Sequence, residues 1–208
     1  MRVLVHGFAL PFLVAVCAGS AVAQSGAAQH QNRPAAPKPG PHGAIPMPAD
    51  RADDSYAIYS MLMPGQTLAS LPAEQGAPWR IVSVTVNTED RNPAVPPQGQ
   101  LKPPPDNPTG FNEAAGDYES NQHLRIQLEK NSFHVSHAFS LVAPDGAKSA
   151  GYPGLTYFSE VYFDTTHAAA LVYMNEWCAE LCSSGTWIYL EKQNGGWVRR
   201  SGIVVPGA

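Results

Sequence analysis

The stretch LTYFSEVYF, residues 155–163, decides the fold class because its apolar side chains occupy neighbouring positions as well as alternating ones. A strand of this composition is apolar on both faces, so it lies in the centre of a sheet or beneath helices. Three further strands are predicted downstream, over residues 169–174, 186–191 and 197–205. The QNGG segment at residues 193–196 is typical of a hairpin turn, because Asn and Gly accept positive φ. We therefore expect the C-terminal part to be an antiparallel β-meander.

Two helices are predicted upstream of this meander. The first starts near Asp53, Asp54 and Ser55, which are suitable N-cap residues, and ends before Pro64-Gly65. The second covers residues 111–130, where apolar side chains recur at helical spacing. Strands are predicted between and after them, over residues 79–86 and 133–139. The expected fold class is α+β: a single domain with four to six antiparallel strands covered by two helices.

Proline marks the borders of this domain. The 208 residues include 20 prolines, of which six fall between residues 34 and 48 and seven between residues 93 and 108. Proline lacks the N–H group and has a fixed φ, so these stretches cannot form regular helix or central strand. We expect a disordered linker over residues 24–50, rich in Pro, Ala and Gln, and a domain over residues 51–208. The domain contains a proline-rich strap at residues 92–108.

The net charge excludes two classes of partner. The chain carries a formal charge of −4 and its acidic residues are scattered, whereas a nucleic-acid-binding domain needs a basic patch. A polybasic membrane-surface protein is disfavoured for the same reason. The charged fraction of 14% is also low against a typical ~25%, which indicates a surface rich in uncharged polar groups.

The first 23 residues have the pattern of a signal peptide. Arg2 is followed by an apolar run over residues 3–16, and Ala21-Val22-Ala23 gives the small-x-small site that predicts cleavage before Gln24. The alternative is lipidation of Cys17, but Val16 stands where a lipobox has a small residue. No later segment is apolar enough to span a membrane. We expect a periplasmic or secreted protein.

Cleavage at this site leaves two cysteines, Cys178 and Cys182. In an oxidising compartment such a pair is expected to form a disulfide, which closes a short ring and contributes on the order of 2 kcal/mol. A redox-active pair is one alternative, although thioredoxin-like motifs have two intervening residues rather than three. Half of a zinc site is another, but no second Cys or His pair completes it.

Several of these segments together resemble a family of uncharacterised exported bacterial proteins. The similarity rests on the motifs SEVYF (159–163), ALVY (170–173), C-x-x-x-C (178–182), W-x-Y-L-E-K (187–192) and GW (196–197), with YAIYS (56–60) and PG (64–65) upstream. The resemblance implies export, a strand-rich C-terminal half and a loop pinned by the cysteines. It implies no activity and no cofactor, so no catalytic residue is transferred from it.

Glu160 is the most unusual charged residue because it lies within an apolar strand. If its side chain points inward, burial raises its pKa and makes it a candidate general acid or base. The alternative is a solvated edge position, or an ion pair with Arg199 or Arg200. Glu176 and Glu180 are further candidates, since either one beside Glu160 can supply the two carboxylates that glycoside hydrolysis requires.

No other motif predicts catalysis, a metal or a cofactor. His134 and His137 form H-x-x-H, but on a strand this spacing places the two side chains on opposite faces. No serine has a G-x-S-x-G setting, and Gly195-Gly196 belongs to a hairpin rather than to a phosphate-binding loop.

Aromatic residues give the second functional hypothesis. Trp187 and Tyr189 share one side of a predicted strand, and Trp177 lies between them and the preceding strand, next to the cysteines. That side is either core beneath the helices or an aromatic platform for a partner protein or an envelope ligand; Trp177 is the member most suited to exposure. The favoured function is a non-catalytic binding domain of the cell envelope that uses these three residues, and the alternative is a small periplasmic hydrolase with paired carboxylates.

Overall fold

The computed structural model describes residues 39–63, 79–90, 101–145, 155–179 and 182–200, all of which belong to one compact unit. These residues form two α-helices and nine strands, so the predicted α+β class is confirmed. The helices are α1 (Ala49–Leu62) and α2 (Thr109–Asn121). The strands are β1 (Ile45–Pro46), β2 (Trp79–Val82), β3 (Ile126–Gln127), β4 (Phe139–Val142), β5 (Leu155–Phe158), β6 (Tyr162–Phe163), β7 (Ala169–Ala179), β8 (Cys182–Gln193) and β9 (Gly196–Arg199). The predicted signal peptide, Cys17 and the first part of the predicted linker lie outside the described residues.

The main sheet is mixed rather than purely antiparallel. Its strand order is β4-β2-β5-β7-β8-β9, and β6 pairs with β7. The run from β5 to β9 is antiparallel, as predicted, but β2 pairs in parallel with both β4 and β5. The expectation of an antiparallel sheet throughout is therefore wrong for its first part. Parallel neighbours need a long crossover, and the connection between β2 and β4 contains α2.

The two helices cover opposite faces of this sheet. Alternate residues of β7 belong to different hydrophobic clusters: Ala170 and Val172 pack with α1, whereas Leu171 and Tyr173 pack with α2. Side chains of a strand point alternately to its two faces, so both faces of the central strands are covered. This explains why residues 155–163 are apolar at neighbouring positions.

Some residues that the sequence assigns to the linker belong to the folded structure. Ala44 is 1% exposed, Ile45 donates its backbone N–H to the Arg125 carbonyl (2.8 Å), and β1 pairs in parallel with β3. Helix α1 starts at Ala49, directly after Pro48, and lacks a side-chain N-cap. The predicted linker, residues 24–50, is thus too long at its C-terminal end, because pairing with a distant strand orders this part.

Two further elements differ from their predicted bounds. The helix predicted over residues 111–130 ends at Asn121, and the chain continues into β3, which pairs with β1. The strand predicted over residues 133–139 is displaced, since β4 begins only at Phe139, opposite Trp79 of β2. Phe133 instead packs edge-on against the Tyr56 ring of α1, with centroids 5.3 Å apart. In each case long-range pairing overrides the local pattern.

The C-terminal hairpins follow the prediction more closely. The turn before β9 places Asn194 at φ 51° and Gly195 at φ 81°, the left-handed region that the QNGG segment predicts. Strands β7 and β8 are longer than expected and include the backbones of Cys178 and Cys182. Their side chains lie outside the described residues, so the disulfide stays a prediction. No helix in the described ranges is long and apolar enough to cross a membrane.

Candidate functional site

The structure assigns Trp187 and Tyr189 to the core. Each is 1% exposed. Helix α2 covers them, with the Tyr118 ring 5.0 Å from Trp187 and the Phe111 ring 5.4 Å from Tyr189. These two residues therefore form no exposed platform, contrary to their predicted binding role. Trp177 is only partly buried, so it is the one member of the predicted set with accessible surface.

Glu160 points inward, and the solvated alternative is wrong. It lies in the segment between β5 and β6, is 2% exposed, and accepts a hydrogen bond on Oε1 from Arg51 Nη1 (2.5 Å). The guanidinium partner comes from α1 and not from Arg199 or Arg200 at the end of the sheet. Arg200 instead pairs with Asp106.

Arg51 joins Glu160 to helix α2. Its Nη2 donates to Asp117 Oδ2, and Asp117 also accepts the backbone N–H of Phe163 (2.9 Å) and Nδ2 of Asn121 (2.7 Å). The guanidinium carbon lies 5.5 Å from the centroid of the Phe163 ring, within range of a cation–π interaction. Arg51, Asp117 and Glu160 are called the Arg51 cluster below.

Burial gives Glu160 an unusual protonation equilibrium. Desolvation raises the pKa of its carboxyl to about 7, the guanidinium of Arg51 partly opposes this, and Asp117 adds to it. Oε2 of Glu160 is buried and has no hydrogen-bond partner within the described part of the chain. Glu160 can therefore change its charge near neutral pH while remaining inside the protein.

The Arg51 cluster forms part of the wall of a cavity of about 600 Å³. Among the described residues, its wall contains five carboxylates but only one guanidinium and one imidazole, so its charge is predominantly negative. The lining residues are Pro48, Asp50, Arg51, Glu113, Gly116, Asp117, Ser120, Asn121, Leu124, Glu160, Phe163, Asp164, Thr165 and His167.

The side of the cavity formed by His167 is firmly held. The His167 ring stacks on Phe163 with centroids 4.5 Å apart and planes inclined by 15°, and its Nδ1 lies 3.7 Å from Asp54 Oδ2. Asp54 also accepts a hydrogen bond from Trp197 Nε1 (3.0 Å) and forms an ion pair with Lys192 Nζ (2.7 Å). Helix α1, the loop after β6 and the β8–β9 hairpin are thus connected behind this wall.

Asp164 shapes the loop at the same wall. Its Oδ1 accepts the backbone N–H groups of Ala168 and Ala169, both at 2.7 Å, and its Oδ2 accepts the Thr166 hydroxyl (2.6 Å). Burial alone raises the pKa of Asp164, but these hydrogen bonds together outweigh it, so the net change is a lowering. Asp164 is therefore a permanent negative charge at neutral pH, unlike Glu160.

Within the described residues, the second carboxylate beside Glu160 is Asp117 and not the predicted Glu176. Glu176 lies on β7 opposite Thr156 of β5; burial raises its pKa, but it is absent from the described cavity wall. Glu180 lies outside the described residues. Asp117 shares Arg51 with Glu160, and no local sequence pattern selects Arg51 or Asp117 as a partner of Glu160.

The described residues contain no metal site, and no similar protein was found that would indicate a function. In the described ranges, no three His, Cys, Asp or Glu side chains are placed to hold a metal ion. Comparisons with protein-family models, with curated proteins and with solved structures found no match. The resemblance to exported bacterial proteins thus remains an expectation. The class defined by the fold and the site is an α+β domain with an acidic, partly buried cavity between its helices and sheet.

Proposed function

We propose that the protein is an exported, non-catalytic binding domain that holds an organic cation in the acidic cavity. The observation that carries this proposal is the excess of carboxylates in the lining of the cavity, with Asp50, Glu113 and Asp164 in addition to the Arg51 cluster. The charge of Arg51 is already shared between two of the carboxylates. The cavity therefore concentrates negative potential, which favours entry of a cation.

The size and the lining of the cavity favour a small organic molecule. A volume of about 600 Å³ lies within the range of roughly 300–1,000 Å³ typical of small-molecule sites. Ser120, Asn121 and Thr165 supply hydrogen-bonding groups, while Leu124 and Phe163 supply apolar surface. This combination suits an alkyl chain that ends in an ammonium or guanidinium group.

A calorimetric titration tests the charge preference directly. Agmatine carries a guanidinium and an ammonium group on a four-carbon chain, and 1,4-butanediol is its uncharged counterpart. We expect agmatine to bind, with an affinity that falls as salt is added, and butanediol not to bind. Equal behaviour of the two compounds overturns the proposal.

A matched pair of variants on α1 tests the location. Asp50 and Asp53 are both exposed, but only Asp50 lines the cavity. Asp50→Asn should weaken agmatine binding by about threefold, the effect of one partly screened charge, whereas Asp53→Asn should leave it unchanged. Equal effects of the two substitutions place the cation elsewhere.

Export is the second part of the proposal and is supported by the N-terminal sequence pattern. Mass spectrometry of the protein from its native cells tests it. Cleavage by signal peptidase gives a mature chain that starts at Gln24, and lipidation gives one that starts at a modified Cys17. A full-length, unmodified chain in the cytosol contradicts both.

A hydrolase is the second candidate, favoured by the pKa of about 7 of Glu160 in a cavity with other carboxylates. Asp117 takes the place of Glu176 as the second carboxylate in this version. Release of nitrophenol from a panel of nitrophenyl glycosides, abolished in Glu160→Gln, would favour it over simple binding. Hydrolysis at equal rates by wild type and variant would exclude Glu160 as its acid.

A further inference from the structure

Among the described residues, only one of the two carboxyl oxygens of Glu160 has a hydrogen-bond partner. Oε1 accepts the hydrogen bond from Arg51, while Oε2 is buried and has no partner among the described residues. Buried polar atoms in native proteins are nearly always hydrogen-bonded, and each exception calls for a specific explanation, such as a functional role. Because Glu160 also forms part of the cavity wall, a ligand in the cavity can supply the missing partner.

None of the described charged or tyrosine side chains around Glu160 supplies this partner. Arg51 and Tyr59 approach it from α1, Asp117 from α2 and Tyr162 from β6. Arg51 is already bound to Oε1, and the Tyr59 hydroxyl donates to the Ser159 carbonyl (2.9 Å). Asp117 is a hydrogen-bond acceptor when charged, and the Tyr162 hydroxyl makes no hydrogen bond with the described residues.

We propose that Glu160 is the residue by which the cavity recognises its cation, with Oε2 accepting an N–H of the ligand and the Glu160 proton leaving as the cation binds. This inference rests on the proposed function and specifies which residue carries it. When the cation binds, the neutral carboxylic acid of Glu160 loses its proton to solvent, and the resulting carboxylate pairs with the ammonium or guanidinium group of the ligand.

The protonation state of Glu160 gives this step a defined pH dependence. With a pKa of about 7, the free protein holds Glu160 half protonated at neutral pH. A cation beside the carboxylate stabilises its charged form, so binding must release protons, and affinity must rise as pH increases through 7. Asp164, whose pKa is lowered, stays charged over the same range and contributes no such dependence.

The test is a calorimetric titration of the protein with agmatine at pH 6, 7 and 8, in buffers of different ionisation enthalpy. The wild type should bind about tenfold more tightly at pH 8 than at pH 6, because the ionised fraction of Glu160 rises about tenfold between these pH values. It should also release about half a proton at pH 7. Glu160→Gln, which keeps an oxygen for Arg51, should bind more weakly and should lose the part of the pH dependence that Glu160 supplies, so that its affinities at pH 6 and pH 8 differ by much less than tenfold.

Glu119→Gln is the matched control. Glu119 is an exposed carboxylate of the same helix as Asp117 and does not line the cavity, so this variant should retain the wild-type affinity and pH dependence. If wild type and Glu160→Gln bind agmatine equally at all three pH values, the inference is overturned while the proposed function stands. If the wild type fails to bind agmatine, both are overturned.

A measurement on the wild type alone covers the case in which Glu160→Gln does not fold. The ¹³C signal of the Glu160 carboxyl is followed against pH with and without saturating agmatine. The apparent pKa should fall by at least one unit on saturation. A titration curve that agmatine leaves unmoved overturns the role of Glu160, whatever the affinity.

Discussion

Helix α2 separates two regions of opposite chemistry. One side packs Phe111 and Tyr118 against the buried rings of Tyr189 and Trp187, and the other side presents Asp117 to Arg51 and the cavity. In the aromatic region, burial of large apolar surface supplies the stability. In the Arg51 cluster, the contribution to stability depends on which charged atoms are paired with each other and on whether Glu160 carries a charge.

The two hypotheses drawn from the sequence have different outcomes. Trp187 and Tyr189, which the sequence predicts to bind a partner, lie in the core. Glu160, which lies in an apolar run, forms part of the cavity wall. Changes in the aromatic region should therefore affect stability, whereas changes in the cavity should affect ligand binding and its pH dependence.

The largest effect should come from Trp187→Ala. Removal of a fully buried indole leaves a void, so the free energy of unfolding should fall by about 3–5 kcal/mol, as measured by urea denaturation. The pH dependence of agmatine binding should persist at temperatures where the variant is folded. Val198→Ala on β9 is the control, because Val198 is exposed and its substitution should change the free energy of unfolding little. A decrease in this free energy of less than ~1 kcal/mol for Trp187→Ala would contradict the core role of Trp187.

The next effect concerns Arg51. Arg51→Met keeps the length of the stem but leaves Asp117 and Glu160 without their cation, so stability at pH 8 should fall by about 3 kcal/mol. At pH 5.5 the loss should be smaller, because Glu160 is then protonated in both proteins. Arg199→Met, at an exposed position, should change stability little at either pH. An equal loss for Arg51→Met at both pH values would mean that Glu160 does not titrate in this range.

Glu160 itself should make stability depend on pH. Its pKa is raised from 4.5 to about 7 in the folded protein, so the folded state binds the proton more tightly than the unfolded state. The contribution of Glu160 to the free energy of unfolding is fully present below pH 4.5 and is lost as pH rises to 7, by about 3 kcal/mol in total. Glu160→Gln should lack this component, which the difference between the two unfolding curves at a series of pH values measures. A difference that is constant with pH would refute the shift.

The smallest effect is expected outside both regions, at the β7–β8 hairpin. If Cys178 and Cys182 form a disulfide, alkylation without reduction should leave the mass of the mature protein unchanged. Cys178→Ser should then lower the free energy of unfolding by on the order of 2 kcal/mol, with agmatine binding retained. Alkylation of Cys178 and Cys182 in the denatured protein, without prior reduction, would show that the two cysteines are free.

Local chemistry explains which elements could be predicted from the sequence. The QNGG turn and the antiparallel strands around it depend on neighbouring residues, so their pattern predicts them well. The end of α2 and the position of β4 depend on pairing with β1 and β2, which are distant in the chain. Helical spacing through Leu124 and Leu128 therefore predicts a helix where the chain forms a strand.

In the candidate site, too, some features can be predicted from neighbouring residues and others depend on residues that are distant in the chain. Glu160 is recognisable as a single charge in an apolar run, but this pattern leaves open whether its side chain points inward or to solvent. The structure buries the side chain, and burial raises the pKa of its carboxyl. Its partner is not recognisable, because Arg51 is one of 13 basic residues and is separated from Glu160 by 109 positions. Nothing in the local sequence of Asp117 distinguishes it from other helical carboxylates.

The separation between Arg51 and Glu160 also sets the order in which the site can be completed. During synthesis, α1 and α2 emerge long before residue 160, and contacts of such large sequence separation form slowly because a long loop must close first. A nascent chain that ends at Asp145 contains both helices but has no Glu160 or Asp164 to complete the cavity wall. Retention of a chain on an immobilised cation would therefore select molecules that have finished folding from those still in progress.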